Sequence, residues 1–105
     1  MPQVVLLYVT FPDLAEAERV GHALVERRLA ACVNILPGMI SHYCWKGAVE
    51  RAEEVVMIAK TRASLADDVT KAVRELHSYE TPAIMTIPMT GVESNYLAWI
   101  LDSTA

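Results

Sequence analysis

MISHYCWK (Met39 to Lys46), then Gly47, then VERAEEVVMIAK (Val49 to Lys60) reads as one long β-hairpin. Ile40, Tyr43 and Trp45 are strong strand formers, and Gly47 marks the turn. The returning strand becomes almost wholly apolar over Glu53 to Lys60 (EEVVMIAK). Upstream, Ala31 to Leu36 (ACVNIL) begins the outgoing strand, and Pro37-Gly38 interrupts it as a bulge or bend would.

Working outward, Val4 to Thr10 (VVLLYVT) is a continuous apolar run of the kind a strand buried on both faces requires. Pro12 and Asp13 end it, and Asp13 with Glu16 forms a capping signal. Leu14, Ala17, Val20 and Leu24 follow at helical spacing, so a helix is expected from Leu14 to about Leu29. Ser64 and Asp67 give a second capping signal, and Leu65, Val69, Ala72, Val73 and Leu76 line one face of a second helix that stops before Ser78. Thr81-Pro82 favours extended chain, Ala83 to Met89 (AIMTIPM) is a last strand, and Asn95 to Leu101 (NYLAWIL) is a short terminal helix. Met57, Met85 and Met89 follow strand alternation and read as core.

The order βαββαβ plus a helix predicts an α+β, ferredoxin-like sandwich, one domain over residues 1–105, with two helices on one face of a four-stranded antiparallel sheet. The first and third strands are the most apolar, as central strands should be; Pro88 suits an edge. The second strand lies at the other edge and is long and apolar, so a second copy of the chain is expected to cover it.

Composition narrows the function. With 105 residues, 53% of them hydrophobic, the chain is large enough for one modest core and gains from association. The formal charge is -4, with nine basic residues scattered among thirteen acids, which argues against a nucleic-acid partner. The apolar start has neither basic n-region nor small-residue cleavage site and is too short to span a membrane, so neither secretion nor membrane attachment is expected. Cys32 and Cys44 form no zinc-like or redox spacing, and they are expected as free thiols in a reducing cytoplasm.

Four ordered blocks carry a resemblance over nearly the whole chain: TFPD from Thr10 with LAACVN (Leu29 to Asn34), SHYCWKGAVERAEEVVMIAKT (Ser41 to Thr61), HSYETP (His77 to Pro82) and NYLAWI (Asn95 to Ile100). With these the chain resembles the CutA divalent-cation-tolerance family. The resemblance implies a homotrimer whose long hairpins pair across subunits, a fold similar to the PII signal proteins, a role in tolerance of divalent metal ions, weak copper binding, and no enzymatic activity. It also assigns His77 as the metal residue, by a family position linked to copper. Imidazole suits Cu(II), although a histidine at a helix end also serves the helix dipole. The chain departs from the family's copper pattern at two positions: Val9 stands in place of a first-strand cysteine, and Leu76 in place of a second histidine.

Other candidates follow from residue type. Trp45, Lys60 and Tyr79 are a possible pocket for a small anion or nucleotide between subunits; for Lys60 the plainer alternative is an ion pair with Glu53 or Glu54. Tyr43 and Trp45, at i,i+2 on a strand, share a face and are expected at a subunit interface. His42 and Cys44 share the opposite face, more as edge residues than as a chelate. Cys32 reads as packing. The functional alternative is a PII-like trimeric adaptor binding a small ligand at its inter-subunit clefts. A third class, an acylphosphatase-like enzyme, lacks its phosphate-cradling loop: Thr10-Phe11-Pro12-Asp13 contains no glycine.

Overall fold

The computed structural model describes residues 2–105. Its elements are β1 (Val4–Phe11), α1 (Leu14–Glu26), β2 (Cys32–Trp45), β3 (Ala48–Arg62), α2 (Ala66–Leu76), β4 (Ile84–Pro88) and α3 (Ser94–Ser103). The strands form one antiparallel sheet in the order β2-β3-β1-β4, which places the two most apolar runs in the centre and Pro88 at an edge. This is the expected α+β arrangement.

Alternation splits the sheet into two unlike faces. Val5, Leu7, Val9 and Phe11 of β1 and Val55, Met57 and Ala59 of β3 are buried beneath α1 and α2. Those helices answer with Ala17, Val20, Leu24, Val69, Ala72 and Val73. The other face carries Tyr8, Ile58, Leu36, Met85 and Ile87. One end of it is covered by α3, whose Ile100 is buried with Val4 and Ala31. Arg62 holds α3 in place by donating to the Thr104 hydroxyl and to the carbonyls of Leu101 and Thr104.

Four local expectations need correction. Helix α1 stops at Glu26 rather than near Leu29, because Arg28 adopts φ +59° and the amides of Leu29 and Ala30 both return to the Leu24 carbonyl. Ser64 caps nothing: Ala63–Leu65 is a 3-10 turn, and α2 starts after it without a side-chain cap. Lys46 belongs to the hairpin turn, where it and Gly47 have φ +51° and +82°. Met85 is exposed on the open face rather than core, because β4 pairs it opposite Tyr8.

The Pro37-Gly38 interruption is a β-bulge. Leu36 pairs with Val56 and Met39 with Glu54, so β2 carries one extra residue there. One residue reverses the alternation. Cys32, Asn34 and Leu36 face the open side before the bulge; Met39, Ser41, Tyr43 and Trp45 do so after it.

Candidate functional site

His77 follows the last residue of α2, and its side chain is fully buried. Its ring stacks on Phe11, with centroids 4.5 Å apart. The Nε2–H donates to the Thr10 carbonyl at 2.7 Å, and Nδ1 accepts the Tyr79 amide at 3.0 Å. Glu16 Oε2 lies 3.4 Å from Nδ1, but that oxygen already accepts the Ser78 amide at 3.1 Å. The Tyr79 amide can only donate, so Nδ1 must be the acceptor and the Glu16 approach is a packing contact. Both ring nitrogens are therefore used. No lone pair is left for a metal, and the expected assignment of His77 as a copper ligand does not fit this geometry. Val9 and Leu76, at the two departures from the family pattern, are apolar and supply no donor. Among the described residues no three His, Cys, Asp or Glu side chains gather at metal-binding distances.

His77 has a different effect. Its bonds to Thr10 and Tyr79 tie the end of β1 to the segment after α2, and Tyr79 comes to rest over the open face. There the Tyr79 hydroxyl donates to Glu54 Oε2 at 3.1 Å. Burial, then the nearby Glu54 carboxylate, push the Tyr79 phenol up to about 12. Tyr8, on β1, donates to the Met39 sulfur at 3.3 Å. A hollow of about 590 Å³ opens between these groups, lined also by Tyr43, Trp45, His42 and Glu80. Its size is that of a small-molecule site.

The structure brings Trp45 and Tyr79 into this hollow but not Lys60. The Lys60 ammonium turns toward α3 and donates to the Tyr96 hydroxyl at 3.1 Å, a bond that holds it above the usual lysine range. It forms no ion pair with Glu53 or Glu54, and the wall expected to attract an anion has lost its cation. Cys32 is near the same Tyr96 hydroxyl, with 3.6 Å between them. Cys44 is exposed at the hairpin tip. Sequence reading missed Tyr8, Met39, Glu54 and Glu80. The period-2 alternation against Leu7 and Val9 was enough to place Tyr8 on the open face; Met39 needed the bulge.

A family model described as CutA1 divalent ion tolerance protein matches residues 5–103. The chain belongs to the CutA1 divalent ion tolerance family. A divalent-cation tolerance protein CutA of Archaeoglobus fulgidus is 45% identical over 94 residues, 90% of this chain and 91% of that protein. The chloroplastic CutA of Arabidopsis thaliana is 39% identical over 95% of this chain. The chain spans only 55% of that longer relative. Among solved structures, CutA1 of Oryza sativa is 38% identical with a TM-score of 0.96, covering 99% of this chain and 95% of that one. CutA1 of Ehrlichia chaffeensis is 35% identical with a TM-score of 0.95, covering 100% and 98%. The Archaeoglobus fulgidus CutA structure, described as that of a periplasmic protein, is 42% identical with a TM-score of 0.92, covering 95% and 97%. The ferredoxin-like sandwich is thus the CutA1 fold.

Proposed function

We propose that this chain serves divalent-cation tolerance as a cytoplasmic homotrimer, without catalysis and without a copper centre at His77. The observation that supports self-association is the uncovered side of the sheet; the number three is what the family resemblance implies. Leu36, Tyr43, Trp45, Met85 and Ile87 are all exposed there in one chain, and β2 presents an unpaired edge fourteen residues long beside them. Apolar area of that extent beside a bare edge is unfavourable in water, and a second copy of the chain covers both at once. Light scattering on the purified protein should give three times the 11.6 kDa chain mass; a monomer at micromolar concentration would end this reading. For the tolerance role, expression in cells lacking their own homologue should restore growth on otherwise toxic copper or zinc, and His77→Gln should restore it too wherever the variant accumulates. The exposed thiol of Cys44 suits a reducing compartment, which is what favours the cytoplasmic location.

The hollow at Tyr79 supports a second reading, a PII-like adaptor that takes up a small ligand where chains meet, because Tyr43 and Trp45 belong both to the hollow and to the uncovered face. Calorimetry on the trimer with a panel of small ligands separates it from a purely structural assembly.

A further inference from the structure

We propose that the Tyr79 hollow binds a small organic ammonium ion rather than a nucleotide or other anion; this rests on the small-ligand reading above and names its ligand class. Four aromatic rings line the space, those of Tyr8, Tyr43, Trp45 and Tyr79, together with the carboxylates of Glu54 and Glu80. No lysine or arginine is among its lining residues, and His42 is the one basic ring. Aromatic faces attract cations through the ring quadrupole, and a carboxylate among them supplies the counter-charge. A phosphate in the same place would meet two carboxylates and no cation from the lining residues themselves. An ammonium already stands near one of these rings: the chain's own Lys46 Nζ is 6.0 Å from the Trp45 centroid.

The arrangement of Glu54 refines the site. One of its oxygens accepts the Tyr79 hydroxyl, and that phenol, with its ionisation moved far above neutrality, remains a donor at physiological pH. The other oxygen is left for a ligand. Tyr79 therefore orients the carboxylate and also draws off part of its charge.

The test is calorimetric titration of the wild-type assembly with tetramethylammonium chloride, with sodium chloride as the blank and ATP as the anionic probe. Saturable binding at a Kd of about 1 mM or tighter is expected for the ammonium and none for ATP. Glu54→Gln should weaken the ammonium roughly tenfold, the loss of one charge contact. Tyr79→Phe keeps the ring and frees the carboxylate, so it should tighten binding, which a merely damaged fold would not do. Lys60→Ala should change nothing. If ATP binds and the ammonium does not, the ligand class is wrong while the adaptor reading stands. If neither binds, both fall. Ammonium binding indifferent to Glu54→Gln and to Tyr79→Phe would place the site elsewhere and overturn the assignment.

Discussion

His77 and Tyr79 are two residues apart, and the structure gives each a purpose that residue type alone did not disclose. His77 is a buried fastener whose two nitrogens bond the backbone on either side. His77→Ala would open a cavity against Phe11 and strand the Thr10 carbonyl, at a cost of about 3 kcal/mol. Urea denaturation should show that loss, while copper affinity per folded chain stays at the wild-type level. A ligand role would give the reverse pattern. Tyr79 makes a pH prediction. Its phenol ionises at 10.0 when unperturbed and at about 12 in the fold. Because the folded value is raised, the unfolded chain loses the proton first; the stabilisation is complete below the unfolded value and is lost as pH rises from 10 toward 12. A phenolate absorbance titration should find a late component that Tyr79→Phe removes and Glu54→Gln moves earlier. The histidine was visible in the sequence as a helix-end residue. Its hydrogen bonds were not, because Thr10 lies 67 positions away.

Two glycines show how local propensity yields to packing. Gly21 lies mid-helix in α1, where alanine would ordinarily favour the helix by roughly 1 kcal/mol. A Cβ there would stand 2.8 Å from Val33 Cγ2 and 3.3 Å from the Met57 sulfur. Valine is stiff at χ1 and cannot swing aside, so Gly21→Ala should destabilise by about 1–3 kcal/mol instead, read as a lower thermal midpoint. A midpoint that rises would mean that α1 sits farther from the sheet. Gly47 is the opposite case. A Cβ meets nothing there, but φ is +82°, beside Lys46 at +51°. This pair of positive φ values is the hairpin turn that matches strand twist, and Gly47→Ala should cost about 1 kcal/mol through backbone strain alone. Element identities were legible throughout, because seven long periodic segments specify their own type. Element ends were less so. The end of α1 depends on Arg28 entering the left-handed region, which arginine does only when the contacts around it require it.

The proposed assembly is where Trp45 is to be judged. In one chain it is 56% exposed, and Leu36 beside the same open face is 54% exposed. Trp45→Ala should lower thermal stability and promote dissociation on dilution, by on the order of 3 kcal/mol for each ring that a neighbour covers. An equally stable, undissociated variant would remove Trp45 from the interface. Cys32 and Cys44 will not pair within a chain, since twelve residue steps along β2 separate them by roughly 40 Å; thiol titration of the denatured protein should find both free. Periodicity and turn chemistry alone were sufficient for the strand order, the paired helices and the long edge hairpin, since these follow from local pattern and from which runs must be buried. The composition of the hollow was beyond them. Lys60 is on the same face as Glu54 and still points away, because Tyr96 of α3 offers it a partner. Tyr43 and Trp45 reach the open side only because the bulge at Pro37-Gly38 holds one extra residue rather than two. Parity along a strand is a global count, and it is settled by pairing with β3, not by the residues that bulge.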